Sequence, residues 1–168
     1  MANNSVNPIA GFRELQTMRD QISAALKEAL KAKDQVALGT MRLISAALKD
    51  RDIAARGNGN TDGISDDEVL AMLQTMIKQR TESAKMYRDG DRPELAEAEE
   101  REIVIIMQFL PTQLDEAGIE EAISKAMSET NASSVKDMGQ VMAYLKNGYA
   151  GQMDFSLASQ MVKKMLIG

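Results

Sequence analysis

Three basic side chains, Arg42, Lys49 and Arg56, recur every seven residues. On a helix that interval comes back close to the same side of the axis, so the three share one face. Such a line of cations could follow successive phosphates. Lys27, Lys31 and Lys33 lie nearby, and residues 27–56 hold seven basic against four acidic side chains, a net of +3. The plainer explanation, which we prefer, is a solvated face partly neutralised by Asp50 and Asp52, because most charge runs are surface. A second basic set comprises Lys136, Lys146, Lys163 and Lys164. Beside them, residues 148–151 place Tyr149 in a glycine-flanked loop before a helix start. A loop of that kind can approach a phosphate or stack on a base, and it serves equally well as a plain connector.

Arg80, Ser83 and Tyr87 fall on another face. Together they could hold an anion, or Arg80 could pair with Glu99 or Glu102 on a neighbouring helix; pairing is preferred because buried polar groups need partners. Lys78, Glu82 and Lys85 stand at i, i+4 and i+7, where local ion pairs form. Glu94, Glu97, Glu99, Glu100 and Glu102 resemble a carboxylate metal set, but helical carboxylate centres use Glu-x-x-His pairs and the chain has His 0. An acidic helix start that complements the helix dipole explains them better.

Composition narrows the chemistry further. With Cys 0 and His 0, disulfides, thiol nucleophiles, Ser-His-Asp triads, imidazole bases and the common zinc sites are excluded. Neither a G-x-x-x-x-G-K-[ST] nor a G-x-G-x-x-G phosphate loop occurs. No catalytic residue, metal or cofactor is expected. The net charge of −5 opposes wholesale attraction to nucleic acid or anionic lipid. The longest apolar run, residues 103–107, is far too short to span a bilayer, and no secretory signal is visible. The expectation is a cytoplasmic protein without membrane contact.

The elements that would position these residues read as helices throughout. Ala, Leu, Met, Glu, Lys and Gln dominate, and all are strong helix formers. Met18, Ile22, Ala25, Leu26, Ala29 and Leu30 form one apolar stripe, and Leu38, Met41, Ile44, Ala47 and Leu48 a second. Ser65 and Glu68 compose a capping box flanked by the staple Ile64–Val69. Pro93 suits a first helical turn, and Pro111 ends the fourth helix. Residues 103–107 continue a helix without a turn signal, so helix is expected there despite their strand-like composition. Three short helices follow, led by Asp115, Ser134 and Asp154. The last is expected to bury Phe155, Ala158, Met161, Val162, Met165 and Leu166. The predicted fold is all-α. Residues 1–17 read as an extension, 18–110 as a domain of about four helices, and 111–168 as a three-helix domain.

Four segments in order resemble the GatB/YqeY family: residues 41–49 (MRLISAALK), residues 78–87 (KQRTESAKMY), residues 102–114 ending in FLPTQL, and residues 137–142 (DMGQVM). The resemblance covers nearly everything from Met18 onward. It implies a helical N-terminal domain and a C-terminal domain similar to the tail of the GatB subunit of glutamine-dependent tRNA amidotransferase, which helps that enzyme hold tRNA. The implied function is an accessory role beside that carbon–nitrogen ligase, not catalytic alone, with tRNA or a tRNA-handling protein as partner. Lys136, Lys146, Tyr149, Lys163 and Lys164 would then face the RNA. Gln140 and Gln152 stand where the family often carries positive charge. A protein-interaction adaptor without an RNA role is the alternative.

Overall fold

The computed structural model describes residues 17–168, which form seven α-helices and one 3-10 turn, with no strand among them. The fold is all-α. Two compact units meet in sequence at Phe109 and Leu110.

The first unit holds four helices. Helix α1 spans Met18–Ala32 and is capped by Thr17, whose hydroxyl accepts from the Asp20 N–H. Thr17 therefore belongs to the folded unit and not to the extension expected over residues 1–17; the rest of that extension lies outside the described residues. Replacing Thr17 by Ala is expected to cost about 1 kcal/mol, read as a lower melting temperature of the full chain. Helix α1 buries Met18, Ile22 and Ala29, while Leu30 is 59% exposed at the last turn, contrary to its expected place in the stripe. A stripe read at helical period is wider than the seam that packs, and its edge residues at a helix end fall outside the core.

Lys33 adopts the left-handed conformation that stops α1, and Asp34 at once caps helix α2, Gln35–Gly57. Helix α2 buries Leu38, Met41, Ile44 and Leu48. Thr40 is buried with them and donates to the Val36 carbonyl at 2.9 Å, which satisfies its hydroxyl.

Helix α3, Asp66–Asp89, begins with the complete Ser65–Glu68 capping box and buries Val69, Met72, Leu73, Met76 and Ala84. Helix α4, Pro93–Met107, starts on its proline and packs along α3. Residues 103–107 are helical. Ile106 is wholly buried, whereas Val104 and Met107 are 62% and 45% exposed. Ile106→Ala should therefore cost about 3 kcal/mol, and Val104→Lys less than about 0.5 kcal/mol, in denaturant titrations of the full chain.

The second unit holds helices α5 (Glu116–Glu129), α6 (Met138–Gly148) and α7 (Phe155–Ile167), with the 3-10 turn Val135–Asp137 leading into α6. Asp115 and Asp154 cap α5 and α7. At the 3-10 turn, Asp137 accepts the Ser133 and Ser134 N–H groups at 2.9 Å each. Ile119, Ile123, Val141, Leu145, Ala158 and Val162 make the core, together with Met153 from the loop before α7. The chain entering this unit is tied to the same loop: Leu114 N–H donates to the Gln152 carbonyl at 2.8 Å, and Gln113 Nε2 to the Gly151 carbonyl at 2.6 Å. Met165, expected in the core, is 38% exposed in the last turn of α7.

Candidate interaction surfaces

Asp52 faces inward on α2 and organises the loop that follows. Arg19 of α1 grips its carboxylate with both terminal nitrogens, at 2.6 and 2.8 Å, and reaches the Ile64 carbonyl at 2.7 Å. The Ile64 N–H donates back to Asp52 at 3.0 Å. Gly63 passes directly over this clasp at φ +85°, where an added Cβ would lie 2.5 Å from Asp52 Oδ1. The Arg19 hydrogen bonds hold the Asp52 carboxyl below the usual carboxylate range. The Ser65 and Ser133 backbone N–H groups do the same for Glu68 and Asp137 respectively.

A carboxylate whose pKa is lowered by folding contributes stability that is present above its unfolded pKa, near 4, and is lost as pH falls through the folded value. The melting temperature of the full chain is therefore expected to stay flat from pH 8 to 6 and to fall below about pH 4, with Asp52→Asn flattening part of that fall.

Asp52 is gripped by Arg19 and makes no hydrogen-bonded ion pair with the basic stripe. Arg42, Lys49 and Arg56 are all exposed on α2, and among the described residues none has an ion-pair or hydrogen-bond partner. Arg56 adds a coulombic attraction that helps hold the Asp52 carboxyl low. The stripe is a free cationic line.

Arg80 sits differently. Its side chain is 13% exposed, its Nε donates to Glu102 Oε2 at 2.8 Å, and its Nη1 donates to the Met76 carbonyl at 3.2 Å. The bond to Glu102 ties α3 to α4, and the bond to Met76 anchors the guanidinium on α3 itself. Glu99 has no part in this pair; a second bridge between these helices joins Arg88 to Glu100 at 2.6 Å. Lys85 pairs with Asp89 rather than with Glu82. Among the described residues, no group of three or more Asp or Glu side chains could hold a metal ion.

In the second unit, Lys136, Lys146, Lys163 and Lys164 are exposed on three separate elements. Lys136 stands on the 3-10 turn, which packs against α7, the helix of Lys163 and Lys164; Lys146 stands in the last turn of α6. Tyr149 is half-buried, packed against the unit's core, so its ring is partly committed to folding. It lines an open depression of about 450 Å³ with Lys125, Tyr144, Asn147 and Gly148. Lys125 and Tyr144 gave no local sequence signal, since one lies on α5 and the other on α6. Residues 110–168 carry five lysines against seven carboxylates, so the unit's field does not favour a polyanion.

The residues that sequence reasoning overlooked lie on α2. Val36, Leu43 and Ile53 are 44%, 49% and 54% exposed. They stand on the side of the helix opposite its buried seam, where polar residues are the rule. The signal that could have found them is a second apolar periodicity in the same helix, out of phase with the core stripe.

In the first unit, the Arg19–Asp52 and Arg80–Glu102 ion pairs are spent on holding helices together. The chain belongs to the YqeY-like protein family, whose model matches residues 19–166. Among its relatives, Altered inheritance of mitochondria protein 41, mitochondrial, from Clavispora lusitaniae is 28% identical over 84% of this chain and 80% of the relative. The protein of the same name from Lachancea thermotolerans is 30% identical over 74% of this chain and 67% of the relative. That from Pyrenophora tritici-repentis is 26% identical over 75% and 70%. These matches overturn the expected accessory role beside tRNA amidotransferase: the relatives bear another name, and the matching family is the YqeY-like one alone. Their names place those proteins in mitochondria. What holds is the coarser statement that, among the described residues, no helix is long and apolar enough to cross a membrane.

Proposed function

We propose that this protein is a non-catalytic docking module that binds another protein through the outward face of α2. One observation carries the reading: Val36, Leu43 and Ile53 place a run of large aliphatic side chains on the solvent side of a well-capped 23-residue helix. A helix that only covers its own core presents charge there. Single exposed aliphatic residues are ordinary, but several aligned on one helix face mark an interaction surface. The absence of His and Cys from the sequence removes the most versatile catalytic side chains and suits a binding role.

Site-specific photo-crosslinking in cells tests the reading. A photoreactive residue at Leu43 or Ile53 should yield protease-sensitive, nuclease-resistant adducts, whereas one at exposed Lys78 on α3 should not. Nuclease-sensitive adducts, or equal yields at all three positions, would defeat it.

A further inference from the structure

The outward face of α2 has a finer pattern than exposure alone. Val36, Gly39, Leu43, Ala46, Asp50 and Ile53 alternate at intervals of three and four, the a/d spacing of a heptad seam. All six are exposed. They lie diametrically opposite Leu38, Met41, Ile44 and Leu48, the seam that α2 buries in its own unit. The small positions matter: a Cβ on Gly39 would meet nothing within 4 Å, so a second backbone can approach closely there. In the same register, Arg42, Lys49 and Arg56 all fall on the g positions. The seven-residue recurrence of the cations and the apolar seam are one pattern, with the charges forming its rim.

That rim selects the occupant. The e positions of this seam are Thr40, Ala47 and Ala54, none of them charged. A second copy docked antiparallel would set cations against cations, because g faces g in that arrangement; docked parallel, it would leave every cation opposite an uncharged e residue. Self-association through this face is therefore disfavoured. Asp50, alone among the a positions in being charged, asks for a cationic or amide partner at one point and so fixes the register. From this charge complementarity we infer that α2 binds an amphipathic α-helix of a partner protein, with acidic residues flanking its apolar stripe and one basic or amide residue opposite Asp50. The stripe from Val36 to Gly57 is about 31 Å long, enough for a partner helix of about 20 residues. The inference rests on the docking reading above and adds the chemistry of the partner.

A designed three-heptad peptide serves as probe: leucine at a and d, lysine at the central a position, glutamate at e and g, and a fluorescein label. Its acidic flanks keep it from pairing with itself. Titrated against the full chain by fluorescence anisotropy, it should bind saturably and more weakly at higher salt. The charge-reversed variant Arg42→Glu, Lys49→Glu, Arg56→Glu should lose at least ten-fold in affinity, and it should gain affinity for the matching peptide with lysine at e and g. Leu43→Asp should lose the acidic peptide, and circular dichroism should show every variant folded, since all four positions are exposed. No binding of the acidic peptide to the wild type, or no exchange of preference on charge reversal, overturns the inference. So does binding of an RNA duplex that follows the three cations but ignores Leu43→Asp while the acidic peptide fails. If the peptide fails while protein adducts persist at Leu43, docking survives with another partner chemistry; if both fail, both readings fall.

Discussion

Gly63→Ala is expected to destabilise the first unit by about 3 kcal/mol, the sum of a left-handed backbone penalty and the loss of part of a charged hydrogen-bond cluster. Gly63 holds φ +85°, and its missing Cβ is what lets Asp52 Oδ1 accept from both Arg19 and the Ile64 N–H. Gly59 supplies the control. It holds φ +90° with nothing within 4 Å, so Gly59→Ala carries only the backbone term, about 1 kcal/mol. In an Asp52→Ala background the Gly63 substitution should fall to the Gly59 value, because the obstructing carboxylate is gone. Denaturant titrations of the four variants decide it. Equal costs at Gly59 and Gly63 would show that the clasp contributes nothing to holding α1, α2 and their loop together.

Met153→Ala should have an effect of similar size in the second unit. Met153 is 1% exposed and reaches the core from the loop before α7. Truncating a buried methionine costs about 3 kcal/mol. A single core of this size supplies only about 3–5 kcal/mol in total, so most of the unit's stability is at stake. Hydrogen exchange on the full chain locates the loss. Amides of α5, α6 and α7 should exchange at least a hundred-fold faster in the variant, while those of α3 hold their protection. Unchanged exchange in α5 and α6 would mean that Met153 only covers the core and does not complete it.

These two residues also show where sequence reading stops. Helix starts were legible because their signals are local: the Ser65–Glu68 box, Asp34, Asp115 and Asp154 each act within three residues of themselves. The all-helical fold and the helical state of residues 103–107 followed from period and composition. Asp52 was legible only as one charge among several, because its partner lies 33 residues away on another helix. Met153 stands in a turn-like stretch, and no periodicity marks a loop residue that folds back into a core. Leu30 and Met165 fitted the stripes of α1 and α7 but stand in last turns, where a continuous pattern outruns the packing. The outward seam of α2 was hidden for a different reason. Two apolar periods share one helix, and the stronger one, which packs the core, accounted for the cations as ordinary solvated charge.

The central question for this protein is whether α2 holds a partner through that seam. Native size-exclusion of nuclease-treated extract from cells expressing the tagged chain asks this directly, with three versions compared. Wild type should elute in a complex well above the size of the chain alone. Leu43→Asp should elute as the free chain, and Met86→Asp, which changes a side chain 73% exposed on α3, should elute as wild type does. Elution of all three as free chain, or of all three in the same complex, would contradict docking through α2.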